Sequence, residues 1–182
     1  ITVNKVVVNN DGGTAVASDF VLKLGAGTVT SGTATMATAN TPYIVSEDPF
    51  AGYAPTGVVC VSNLDREDSA ENTGMITVTP ELGENIVCTI TNSDLRPGLT
   101  VVKNVINNNG GNAVVSNFVL KVGATTVTSG ATNTYAANTN LVISELQLPG
   151  YTATGTVCVS TLEGANNVTN AVAGATVKLL PG

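Results

Sequence analysis

Histidine and tryptophan are both absent from the 182 residues. The first absence removes the commonest general base and every imidazole metal ligand. Serine and threonine are abundant, but a nucleophilic hydroxyl needs a base beside it. Only carboxylates and lysines remain for that task, so the sequence argues against an enzyme and calls for no cofactor. Charged residues make up 11% and aromatics 4%. The net charge of −6, with seven scattered basic residues, excludes nucleic acid as a natural partner, because phosphate binding needs clustered Lys and Arg. No apolar run approaches the roughly twenty residues of a membrane-crossing helix, and no secretory leader is visible. Ile1 in place of Met is what a processed protein or a fragment begins with.

What is present is Thr, Val, Ala, Asn and Gly, residue types that favour strands and turns over helices. The chain also repeats itself. Shifted by 98 positions, "ITVNKVVVNNDGGTAVASDFVLKLGAGTVTSG" lies over "LTVVKNVINNNGGNAVVSNFVLKVGATTVTSG". "YIVSEDPFAGY" likewise lies over "LVISELQLPGY", and "TGVVCVS" over "TGTVCVS". Duplication at this length makes two tandem units of one architecture. "SDLRPG", residues 93–98, reads as a polar connector. The expected division is 1–94, a linker at 95–98, and 99–182. Short Val/Ile/Thr runs separated by Asn, Asp and Gly predict an immunoglobulin-like β-sandwich in each unit. In unit 1 the predicted strands are 1–9, 18–24, 27–31, 43–47, 57–63, 75–79 and 85–92.

The second unit lacks an element. Thr176, Val177 and Gly182 align with Thr77, Val78 and Gly83, and after Gly83 the first unit continues through "ENIVCTITN". Unit 2 is therefore expected to lack its last strand, leaving an unpaired edge and an open groove. Three readings stand: a chain cut from a longer array, a strand donated by a neighbouring subunit, or simple tolerance of the loss.

Strand parity sends three polar side chains inward. Lys5 shares a face with Ile1, Val3 and Val7, and Lys103 with Leu99, Val101 and Val105. Glu47 lies with Tyr43 and Val45, and Glu145 with Leu141 and Ile143. Asn92 lies with Ile86, Cys88 and Ile90. A buried charge is costly unless paired. One reading is a Lys5–Glu47 ion pair capped by Asn92. The other is covalent. An apolar site lowers a lysine's pKa and raises a glutamate's, so a neutral Lys5 amine can attack the Asn92 carboxamide beside a protonated Glu47 and release ammonia.

The ordered set of Lys in the first strand, "SE…GY" in the middle and "TITN" in the last resembles the Cna B-type, prealbumin-like repeats of bacterial surface adhesins and pilins. "SDF.L" and "CTITN" resemble the same repeats, and the likeness spans nearly all of both units. It implies prealbumin-like sandwiches, an extracellular setting, and a Lys–Asn isopeptide with an acidic helper. Those residues are here Lys5, Asn92 and Glu47. Only Lys103 and Glu145 match in unit 2, so a bond there needs an asparagine from elsewhere.

Three cysteines leave one without a partner. Cys60 and Cys88 share a unit, and a disulfide between them suits an oxidising compartment. Parity works against the pair, because Cys60 sits between Val59 and Val61, which read as the inward face. Two buried free thiols are the alternative. Cys158 is expected to be unpaired or to bond an added strand. "LDREDSAEN" gathers Asp65, Glu67, Asp68 and Glu71, a weak calcium candidate against the reading of a solvated acidic loop. Asn167 heads the one acceptor-type glycosylation triplet. These features together predict an extracellular structural protein, a stalk or fibre subunit whose partners are copies of itself or further repeats. The alternative is an adhesin module that binds a host protein or glycan through its loops.

Overall fold

The computed structural model describes residues 1–160, 168–171 and 174–182. The chain divides into unit 1, Ile1–Leu95, and unit 2, Arg96–Pro181. Among the described residues no helix is long and apolar enough to cross a membrane.

Unit 1 has eight strands: β1 (Thr2–Val8), β2 (Leu22–Leu24), β3 (Gly27–Val29), β4 (Tyr43–Glu47), β5 (Tyr53–Ser62), β6 (Glu67–Glu71), β7 (Ile76–Val78) and β8 (Ile86–Asp94). They form two sheets, ordered β1-β8-β5-β6 and β3-β2-β4-β7. Alternation decides which residues meet between the layers. Along β8, Ile86, Cys88, Ile90, Asn92 and Asp94 are all buried, and the residues between them are not. Val3, Val58 and Cys60 join them from the same sheet, and Leu22, Leu24, Val45 and Val78 from the other, in one core.

Four expectations are corrected. The segment predicted as strand 18–24 begins with a 3₁₀ turn, Ala17–Asp19. There the Asp19 carboxylate accepts the Val16 N–H at 2.8 Å, a local bond that competes with strand pairing, and Phe20 turns into the core. The acidic stretch is no loop: Glu67–Glu71 forms edge strand β6, antiparallel to β5 with Cys60 opposite Asp68. Charge on an edge strand discourages pairing with another chain. Strand β5 starts earlier than predicted, at Tyr53, and the "SD" of the supposed connector is the end of β8. Val59 and Val61 are 42% and 45% exposed, whereas Cys60 is 2% exposed. Two outward valines had disguised the parity of this strand.

Unit 2 has β9 (Gly98–Thr100), β10 (Leu120–Val122), β11 (Thr125–Val127), β12 (Thr132–Thr134), β13 (Asn140–Glu145), β14 (Thr156–Cys158), β15 (Val168–Ala171) and β16 (Ala175–Lys178). The sheet β11-β10-β13-β16 repeats β3-β2-β4-β7 strand for strand. Among the described residues the other sheet does not recur. In its place stand two-stranded pairs, β14-β15 and β12-β9, and residues 101–108 form no strand. The reason lies in the order of unit 1's first sheet. Strand β8 is central there, and it is the neighbour of both β1 and β5. The last strand of a complete unit is thus an inner strand, where the repeat comparison had placed an outer edge.

Candidate functional site

Lys5 comes from the middle of β1, Asn92 from near the end of β8, and Glu47 from the last residue of β4 in the opposite sheet. Strands β1 and β8 run parallel, with Val7 opposite Asn92 and Lys5 opposite Ile90. The three polar side chains converge between the layers. Lys5 Nζ donates to Glu47 Oε2 at 2.6 Å, and Asn92 Nδ2 donates to Glu47 Oε1 at 2.6 Å. The lysine and glutamate side chains are 0% and 6% exposed. Phe20 lies beneath the ammonium, 4.3 Å from Nζ to the ring centroid, a cation–π contact strengthened by desolvation. Gly74 makes room for the carboxylate, since a Cβ there would lie 3.1 Å from Glu47 Cγ.

Burial pushes the Lys5 ammonium below its usual value of 10.5, against the bond and charge of Glu47. Asn92 Oδ1 is buried without a hydrogen-bond partner, an arrangement that costs energy in a resting structure. An amine made easier to deprotonate, a carboxyl group touching both it and the amide, and a carboxamide oxygen with no partner make a reactive set.

A second constellation, absent from the sequence reading, closes the same end of the sandwich. Asp94 is 3% exposed. Its Oδ1 accepts the Asn10 N–H at 3.0 Å, and its Oδ2 accepts those of Asp11 and Gly13 at 2.9 and 2.7 Å. The loop "NNDGG" is thereby wrapped around one carboxylate. Tyr53 Oη holds the loop from the other side, accepting from Ala15 N at 2.9 Å and donating to Asn9 Oδ1 at 2.6 Å. Gly13 is required here, because a Cβ would meet Tyr53 Oη at 2.3 Å and Asp94 Cβ at 2.8 Å. The signal available in the sequence was the even spacing of Cys88, Asn92 and Asp94 along one strand.

Cys60 and Cys88 stand opposite each other in the β5–β8 register and are joined as a disulfide, with Cα atoms 3.9 Å apart. Cys158 is a free thiol, half-buried in β14. In unit 2, Lys103 Nζ lies 2.7 Å from Glu145 Oε2 and 4.4 Å from the Phe118 centroid. Those side chains are 17% and 22% exposed, against 0% and 6% in unit 1, so this pair is open to water. The acidic residues show no shared focus: Asp68 pairs with Arg66 at 3.2 Å, and Glu67 and Glu71 are exposed on β6. Among the described residues no three potential ligands gather to hold a metal. Asn167 lies outside the described residues.

The tandem all-β units define a prealbumin-like class of fold. Family models described as the prealbumin-like fold domain, of SpaA type, match residues 2–94 and 94–179. The chain belongs to that family, whose domains are structural or adhesive. No curated protein and no solved structure matches it.

Proposed function

We propose that the chain is a load-bearing part of an extracellular fibre or stalk, and that unit 1 is stapled by an isopeptide bond between Lys5 and Asn92. The observation that carries this reading is the position of the buried set. It joins β1 and β8, the first and last strands of the unit, which are parallel neighbours. A pull on the two ends of unit 1 shears that pair, so a covalent link between them takes the load before the sandwich opens.

The chemistry balances within the three side chains. A proton passes from Lys5 Nζ to Glu47 Oε2, giving a neutral amine and a carboxylic acid. The amine attacks Asn92 Cγ, the acid gives its proton to Nδ2, the atom already 2.6 Å from Glu47 Oε1, and the carboxylate so formed takes the second proton from the attacking nitrogen. The C–Nδ2 bond breaks, ammonia leaves, and a Lys–Asn amide remains. The event occurs once per molecule, so it staples the protein and turns over no substrate. Family membership supports a surface location and assembly with further copies or repeats, and the Cys60–Cys88 disulfide suits an oxidising compartment.

Immunogold electron microscopy with antibodies raised against residues 1–182 tests the assembly. Label along surface filaments or stalks is expected; label on dispersed or intracellular material only would overturn the structural role.

A further inference from the structure

Strand β5 is held at two places that are out of step by one residue. At its start, Tyr53 stands opposite Asp94, Ala54 opposite Ser93 and Pro55 opposite Asn92. From Gly57 onward the partners are Thr91, Ile90, Thr89 and Cys88, the last opposite Cys60. Thr56 is the residue left over, a β-bulge in an otherwise antiparallel ladder. Its side chain is exposed, and its Oγ1 donates to Thr91 O at 3.2 Å. The first half of the strand is anchored by Tyr53 Oη, bonded to Ala15 N and Asn9 Oδ1. The second half is anchored by the Cys60–Cys88 disulfide. A ladder continued from Pro55 without the bulge would set Thr56 opposite Thr91, Gly57 opposite Ile90 and Val59 opposite Cys88. Side chains alternate, so that straight register places Gly57, Val59 and Val61 inward where Val58, Cys60 and Ser62 now stand. Hydrophobic burial scarcely distinguishes the two. Val58 and Cys60 are 0% and 2% exposed and Val59 and Val61 are 42% and 45% exposed, and straightening exchanges one pair for the other. The ladder itself favours the straight form, because a bulge leaves a residue unpaired.

We infer that the Cys60–Cys88 disulfide is what holds β5 in the bulged register, and that its reduction lets the strand straighten by one residue and turns the Cys60 thiol to the outer face of the sheet. Cys88 stays inside, because Ile86, Ile90 and Asn92 fix the inward face of β8 whatever β5 does. The step is a thiol–disulfide exchange. A dithiol reductant breaks the S–S bond, Cys60 and Cys88 each become a thiol, and the dithiol leaves as its cyclic disulfide. The Tyr53 clasp is untouched, so the slip is confined to residues 56–62. Tyr53 and Pro55 keep their places beside Glu47 and Asn92. Unit 1 is thus a redox-sensitive device whose reduced form presents a thiol that its oxidised form buries. This inference goes beyond the staple of unit 1 and stands without it.

The test uses the whole chain, folded in the presence of a dithiol and then treated with N-ethylmaleimide, with each cysteine followed by peptide mass. Cys158, already free, is the internal reference. In the reduced, folded chain Cys60 should react on the order of tenfold faster than Cys88, as an exposed thiol does against a buried one. A chain lacking Thr56 is the second variant. It has no residue to bulge, so both anchors fit one straight ladder, and its reduced form should keep Cys60 buried and slow to react. General destabilisation predicts the reverse, since a deletion inside a strand adds no protection of its own. A Cys88→Val chain removes the cross-link without any reductant, and there Cys60 should react as fast as in the reduced chain. Equal rates at Cys60 and Cys88 in the reduced chain, or fast labelling of Cys60 in the chain lacking Thr56, would overturn the inference. Loss of the folded circular-dichroism spectrum in both the reduced chain and Cys88→Val would overturn it too, because the straight register is a folded state.

Discussion

Asp94 is a single carboxylate that closes a loop more than eighty residues earlier in the chain. Removing it strands three backbone donors at least partly out of water, so Asp94→Ala should cost unit 1 about 2–3 kcal/mol, read by urea denaturation. Lys5 acts in the opposite sense, since burial penalises its charged form. Its folded pKa is lowered, so between that value and 10.5 the unfolded chain binds more protons than the folded one. For an unstapled variant such as Asn92→Ala, stability should therefore rise with pH across that window and level off above it. Denaturant midpoints at successive alkaline pH values check the sign; a falling midpoint in the window would contradict it. Bond formation in the unmodified chain should slow over the same range, because the proton that Glu47 passes to Asn92 Nδ2 is the one Lys5 there loses to solvent. Lys5, Glu47 and Asn92 could all be placed from strand parity, because each lies among apolar neighbours at every second position. Asp94 could not. It follows Ser93 in a polar stretch resembling a connector, and its meaning depends on a loop distant in sequence.

The element scale offers a comparison made by the chain itself. "ITVNKVV" and "LTVVKNV" differ little, yet the first is a seven-residue strand from Thr2 and the second forms no ladder beyond Thr100. Their intrinsic propensities are nearly the same. The difference is the neighbour: β1 pairs with β8 alone in its sheet, and unit 2 presents no counterpart. Pairing potential was therefore legible in the sequence and realised pairing was not. Hydrogen exchange should separate the segments, with amides over 3–8 protected and those over 101–107 exchanging fast. Equal protection would mean that the segment is paired in solution. Strand β5 carries a second lesson. Its inward residues are Val58 and Cys60, but the outward Val59 and Val61 are just as apolar, so composition gave no parity. The disulfide on that strand closes a separation of 28 residues. Its removal by Cys60→Ala with Cys88→Ala should destabilise unit 1 by about 3–4 kcal/mol on the chain-entropy account, measured in a background without the staple.

For the whole molecule, the two units share a sequence pattern and differ in their buried clusters. Unit 1 buries residues from both of its sheets in one core, whereas the buried cluster of unit 2 is Leu120, Val122, Val127, Ile143, Ala175 and Val177. All six belong to a single sheet, and among the described residues the facing side contributes half-buried side chains such as Val101 and Cys158. The tandem β-sandwich class was plain from the repeat and its turns, because hydrophobic alternation and Gly/Asn punctuation are local signals. The fate of unit 2's first sheet was less plain, because it depends on a central strand. Stability should divide accordingly, with unit 2 of a 1–182 polypeptide opening at lower denaturant than unit 1. The aromatic residues also bear on function. Among the described residues no Phe or Tyr is exposed, so no aromatic patch favours the adhesin reading over the structural one.

The staple is the central claim, and mass decides it most directly. Protein taken from its native surface, reduced, denatured and weighed intact, is expected to fall short of its sequence mass by one ammonia for each complete Lys–Glu–Asn set. Proteolysis should recover a branched peptide joining Lys5 to Asn92, lost in Asn92→Ala and in Glu47→Ala. A full sequence mass, with Lys5 and Asn92 in separate unmodified peptides, would contradict the account and leave Lys5 in a buried ion pair with Glu47.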